Sequence, residues 1–101
     1  MTWSYEAANA RTRSRTSVDV DRRIYALVAD TGQLYGLSDR ESGVLLGGAL
    51  GTPSKAVATE LGCSSKTVDE YWRRIYRKTG CSSRQEIIAL LLRRAVTVPS
   101  R

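Results

Sequence analysis

The chain has 101 residues, 42% of them apolar, and a formal net charge of +6. That length predicts one small domain whose core needs no disulfide or metal staple. There is no histidine, no apolar run long enough to cross a membrane and no apolar segment of a secretory signal near the N-terminus, so metal centres, the commonest general base, membrane spans and export are all disfavoured. The positive balance points to a polyanion, nucleic acid before an acidic membrane surface.

Residues 1–17 are polar, with Arg11, Arg13 and Arg15 alternating with Thr and Ser. They read as a flexible basic arm, able to touch DNA phosphates or a minor groove, or simply solvated. Residues 18–35 predict a helix: Ile24, Leu27, Val28, Thr31 and Leu34 recur at helical spacing, Gly32 weakens the last turn and Gly36 ends it. Ser38 and Glu41 form a capping box that opens the next helix, which Gly51 closes. Thr52 is placed to cap a third helix with Pro53 as its first residue. That helix carries Val57, Ala58 and Leu61 and stops at Gly62. Ser64 caps the fourth, Gly80 ends it, and Ser83 with Glu86 opens a fifth that stops before Pro99. No segment alternates with period two, so the expected fold is all-α. Cys63 and Cys81 are not in a CxxC pair and read as small apolar residues in a reducing compartment.

The stretch PSKAVATELGCSSKTVDEYWRRIYRKT, residues 53–79, has the spacing of a helix-turn-helix, with a glycine where the backbone must reverse. On its second helix Val68, Trp72, Ile75 and Thr79 share one face. Lys66, Glu70, Arg73 and Arg77 share the other, with Ser65 and Asp69 near the tip. Short polar groups at the tip and cations behind it suit a major groove, where the tip meets base edges and the cations meet phosphates. A solvated face of an ordinary bundle helix would look similar.

Residues 37–95 resemble the LuxR-type, or GerE-type, DNA-binding domain of bacterial transcription regulators. The resemblance is carried by Leu37, Arg40, Glu41, Val44, Leu45, Ala49, Gly51, Lys55, Val57, Ala58, Leu61, Ser64, Lys66, Thr67, Val68, Ile75, Lys78, Gly80, Ser83, Arg84 and Glu86. It implies a four-helix module, here preceded by one extra N-terminal helix and followed by a tail, 96–101. It also implies that residues 65–79 form the recognition helix, with groove contacts from Ser65, Lys66, Thr67, Asp69, Glu70, Arg73 and Arg74, and with Lys55 and Arg84 near the DNA backbone. The last helix is implied to pair with its twin through Ile88, Leu91, Leu92 and Ala95, unless these complete the core.

Two departures stand out. Asp69 and Glu70 replace non-acidic residues usual in the family. They can accept from cytosine amino groups, mark a surface turned to a protein partner, or pair within the helix, as Glu70 can with Arg73 and Arg74. Gly47 and Gly48 stand where large apolar residues are usual, and Trp72 is larger than the usual leucine or valine, so the glycines are expected to make room for the indole. Residues 1–36 are too short for a receiver or sensor domain. The expected function is therefore a stand-alone bacterial transcription regulator that binds double-stranded DNA in the cytoplasm as a homodimer on an inverted repeat. The alternative is an adapter that keeps the fold but binds another regulator or RNA polymerase, with the N-terminal helix as its docking element. No catalytic group, cofactor or metal is expected.

Overall fold

The computed structural model describes residues 15–97. They form five helices: α1 (Arg15–Tyr35), α2 (Asp39–Ala49), α3 (Ser54–Leu61), α4 (Ser65–Thr79) and α5 (Arg84–Thr97). No strand occurs among the described residues. The all-α expectation, four helices preceded by an extra one, therefore holds. Helix α1 takes in residues 15–17, which the sequence reading gave to the arm, and α5 runs on to Thr97. The rest of the arm, with Arg11 and Arg13, lies outside the described residues, as do residues 98–101.

The predicted helix ends are mostly where local chemistry puts them. The Ser38 hydroxyl accepts from the Glu41 N–H at 3.1 Å, and the Ser38 N–H donates to Glu41 Oε1 at 2.9 Å, a complete capping box. At α5 the box is displaced by one residue. Ser83 Oγ accepts from the Glu86 N–H, but Glu86 Oε1 accepts from the N–H of Ser82. The start of α3 differs from expectation. Thr52 does not cap it, because α3 begins at Ser54, one residue later than expected; the Thr52 N–H donates to the Gly47 carbonyl at 2.8 Å and closes the end of α2. Pro53 takes the cap position with extended ψ of 145°, and its carbonyl accepts from Ala56 and Val57. A link this short serves the end of α2 before it can serve the start of α3.

Every helix feeds one core. Val28 comes from α1, Val44, Leu45 and Leu46 from α2, Val57, Ala58 and Leu61 from α3, Val68, Trp72 and Ile75 from α4, and Ile87 and Leu91 from α5. Each large side chain buried there contributes about 1.5–3 kcal/mol. The two glycines of α2 divide their work. A Cβ on Gly48 would lie 2.7 Å from the Trp72 ring, so Gly48 does make room for the indole. A Cβ on Gly47 would lie 2.5 Å from Val57 Cγ2, so Gly47 serves the crossing of α2 with α3 instead. Arg40 Nη1 donates to the Leu61 carbonyl at 2.8 Å and satisfies the end of α3.

Helix α1 packs on α2 and on α5. Its inner stripe is rotated from the expected one: Asp21, Val28, Thr31 and Gly32 are buried, Ile24 and Leu27 are half-buried, and Leu34 is exposed. Gly32 faces inward because a Cβ there would meet Ser42 Oγ at 2.5 Å. The Thr31 hydroxyl donates to the Leu27 carbonyl at 2.7 Å and accepts from Arg94 Nε at 3.0 Å, while Arg94 also pairs with Asp30. One arginine of α5 thus ties two neighbouring residues of α1.

Glu41 is only 3% exposed and carries a charge. Lys78, near the end of α4, donates to its Oε1 at 2.7 Å and to the Gly36 carbonyl at 3.2 Å. Burial pushes the Glu41 carboxyl up, but the Lys78 hydrogen bond, the Ser38 N–H, the Lys78 charge and the Ser38 hydroxyl together hold it below the ordinary glutamate value. Lys78 is therefore a fastener between α4 and the α1–α2 junction rather than part of the outer charged face.

Two outcomes follow. Leucine at position 48 drives into the indole, and overpacking of about 1–3 kcal/mol outweighs the roughly 1 kcal/mol of helix propensity that replacing glycine gains. Gly48→Leu should melt lower than the wild type in thermal unfolding, and adding Trp72→Leu should recover part of the loss; a higher midpoint for Gly48→Leu would contradict this packing. The Glu41 pair should also set an acid limit. A carboxyl whose folded pKa is depressed contributes stability that is full above the ordinary glutamate range and lost as pH falls through the lower folded value. Lys78→Met removes the strongest cause of the depression, so it should be less stable than the wild type at neutral pH, with the gap in denaturation midpoint narrowing as pH falls through and below the glutamate range.

Candidate nucleic-acid interface

The angle between α3 and α4 is set by three residues. Gly62 has φ of 69° and ψ of 36°, a left-handed conformation that a Cβ disfavours. Its N–H donates to the Thr59 carbonyl at 3.2 Å, and the N–H of Cys63 donates to the Ala58 carbonyl at 2.9 Å. This double closure ends α3 abruptly. Ser64 then restarts the chain in an extended conformation, and its hydroxyl accepts from the Thr67 N–H at 3.1 Å. Cys63 and Cys81 are free thiols, half-buried where α3 and α4 end.

Helix α4 presents two unlike faces. Val68, Trp72 and Ile75 are buried, and the Thr79 hydroxyl donates back to the Ile75 carbonyl. Ser65, Lys66, Asp69, Glu70, Arg73, Arg74 and Arg77 are all exposed. Seven of the eight expected contacts on this helix therefore share the outer face. Thr67 is the exception: it is half-buried, and its hydroxyl lies 3.0 Å from Ser64 Oγ, within the cap.

The charges on this face are not equivalent. Arg73 Nη1 donates to both carboxylate oxygens of Glu70, at 2.9 and 3.2 Å. The Arg74 guanidinium lies 5.6 Å from the centre of the Tyr71 ring. For Lys66, Asp69 and Arg77 no hydrogen-bonded or ionic partner occurs among the described residues.

Two flanking residues complete the surface. Arg84 opens α5 and stacks its guanidinium 4.7 Å from the centre of the Trp72 ring, with Nη2 3.3 Å from the Ser54 hydroxyl. That contact brings the start of α5 to the start of α3, where the next residue, Lys55, is exposed. Lys55 and Arg84 therefore sit on neighbouring helix starts. Sequence reasoning missed that Arg84 rests on the indole, because the residues are twelve positions apart on different helices.

On α5 the four residues assigned to pairing divide. Leu91 is buried in the core, Ile88 is half-buried, and Leu92 and Ala95 are exposed. Leu92 is 62% exposed and Val96 83%. Val96 fell outside the expected domain, although its spacing of four from Leu92 was a usable signal.

Among the described residues no cluster of Cys, Asp and Glu could hold a metal, and no helix is long and apolar enough to cross a membrane. No curated protein and no solved structure matches the chain. The GerE family, bacterial regulatory proteins of the luxR type, matches residues 35–91, over half of the chain and all of the helix-turn-helix. With its turn, its caps and its two-faced fourth helix in place, the chain belongs to the luxR family of bacterial regulatory proteins and is a DNA-binding helix-turn-helix protein.

Proposed function

We propose that this protein is a transcription regulator that lays α4 in the major groove of duplex DNA and binds as a dimer on an inverted repeat. The observation that carries the reading is the division of α4. Its inner face is held by Val68, Trp72 and Ile75, which leaves Ser65, Lys66, Asp69, Arg74 and Arg77 projecting from a rigid helix. The tip, Ser65, Lys66 and Asp69, meets base edges. Asp69 accepts from a cytosine amino group, the usual base-edge partner of an acid. Arg74, Arg77, Lys55 and Arg84 hold phosphates on either side. Such a protein acts at the bacterial nucleoid.

The dimer forms through the apolar strip of α5, now read as Leu92, Ala95 and Val96 with the edge of Ile88. Two modules joined there place their recognition helices on half-sites about one helical turn apart. A second reading, an adapter for another regulator or RNA polymerase, is favoured by a cleft of about 890 Å3 that α1 forms with α2 and α3. Its walls include Tyr25, Ala29, Gln33, Arg40 and Leu46.

Selection from randomised duplex DNA with the full chain, at two salt concentrations, tests both readings. An enriched inverted repeat is the expected result, with affinity falling steeply as salt rises. Arg74→Ala should weaken binding to all sequences alike and lower the salt slope by about one. Absence of any enriched sequence would favour the adapter. Leu92→Asp with Val96→Asp should leave the melting midpoint nearly unchanged and convert two-to-one complexes on the repeat into one-to-one complexes, as read by native electrophoresis or light scattering.

A further inference from the structure

The exposed pair on α4 has a consequence for what that helix reads. Both side chains are open to water, with Arg73 69% and Glu70 47% exposed, yet Nη1 of Arg73 is held by both oxygens of Glu70. An exposed pair at i,i+3 adds little to the stability of a fold whose helix is already packed. Its effect falls on Arg73, whose long side chain is kept in one place before any ligand arrives. We infer that Glu70 is a positioning residue which presents the remaining edge of the Arg73 guanidinium to a guanine in the major groove. This rests on the DNA docking of α4 proposed above.

The chemistry selects the base. A guanidinium has five N–H groups in a rigid plane. Glu70 takes those of Nη1, which leaves Nη2 and Nε as two adjacent donors. Guanine offers two acceptors, N7 and O6, on its major-groove edge. Adenine and thymine each offer one, and cytosine offers a donor. A two-donor edge therefore matches guanine alone. The pair is also close to neutral, so it gains little from phosphates, unlike Lys66, Arg74 and Arg77 on the same helix. A lone Glu70 carboxylate would be repelled from the groove, whereas one neutralised by Arg73 enters without that cost. Holding the arginine in advance removes part of the ordering cost of binding.

The test is the base preference of the full chain on its own selected site, with each base pair replaced in turn. In the wild type, one position should prefer guanine, and Arg73→Lys should weaken that preference and Arg73→Ala abolish it, since an ammonium lacks the rigid planar fork that Glu70 holds in place. Glu70→Ala should reduce the preference about tenfold, within the range that one bidentate contact provides, while affinity for unrelated DNA rises because a negative charge is gone. Glu70→Gln, which keeps one oxygen to hold Nη1, should retain more of the preference than Glu70→Ala. Melting midpoints should be unchanged throughout. If Glu70→Ala keeps the full guanine preference, or Glu70→Ala and Glu70→Gln lose it equally, the positioning role is overturned and DNA binding stands. A cytosine preference that survives Arg73→Lys and vanishes in Glu70→Ala overturns it too, since Glu70 would then read the base itself. If the wild type selects no sequence, the docking of α4 fails and this inference with it.

Discussion

The placement of α4 depends on the seat of one side chain, Trp72. Its ring lies against the Cα of Gly48 on one side, carries the Arg84 guanidinium at 4.7 Å on another and has Tyr76 with its ring centre 5.8 Å away. Three helices, α2, α4 and α5, are thereby registered on a single rigid group with two rotatable bonds. A leucine in its place would fill less volume and could not carry a cation on its face. The cost is a glycine pair in the last turn of α2, at most about 1 kcal/mol each against alanine. Gly47, serving Val57, uses the same thinness to let α3 approach, so α2 works as a narrow backbone onto which both helices of the helix-turn-helix close.

The net charge of +6 overstates what the outer face offers a polyanion. Lys78 is committed to Glu41 and the Gly36 carbonyl, Arg40 to the Leu61 carbonyl, Arg94 to Asp30 and Thr31, and Arg73 to Glu70. Several of these are internal fasteners that satisfy helix ends or buried acids, where an unmade hydrogen bond would cost more than a made one contributes. The cations left on the proposed DNA side are few and placed: Lys55, Lys66, Arg74, Arg77 and Arg84. A surface of this kind attracts DNA without holding it indiscriminately, and it leaves discrimination to the short polar tip and to the neutralised pair beside it.

Most of the fold was legible because its signals are local. Capping boxes, glycines at helix ends and apolar spacing act within about five residues, and each placed a helix correctly. The exceptions share a cause. Thr52 failed as a cap because α3 starts one residue later, at Ser54, after a link whose Thr52 N–H is held by the Gly47 carbonyl. The stripe of α1 was rotated because Gly32 marks a close crossing with Ser42, which spacing within one helix cannot reveal. The tie from Lys78 to Glu41 joins residues 37 positions apart on different helices, beyond the reach of any local pattern. On the candidate site, the outer face of α4 could be read from period alone. The coupling of Arg84 to Trp72 could not, and the burial of Leu91 beside exposed Leu92 depends on how α1 and α5 meet.

That meeting has a consequence for any pairing through α5. Arg94 binds α1 from one side of α5, through Asp30 and Thr31, while Leu92 and Val96 remain uncovered. The extra helix therefore claims one flank of α5 and leaves another open. The same contact fixes the direction of α5 relative to the module, since Arg94 near its end and Arg84 at its start are both tied, to α1 and to Trp72. A helix held at both ends presents its apolar strip at a defined angle to α4. In a symmetric pair that angle would set the distance between recognition helices, so α1 would act on DNA geometry without touching DNA.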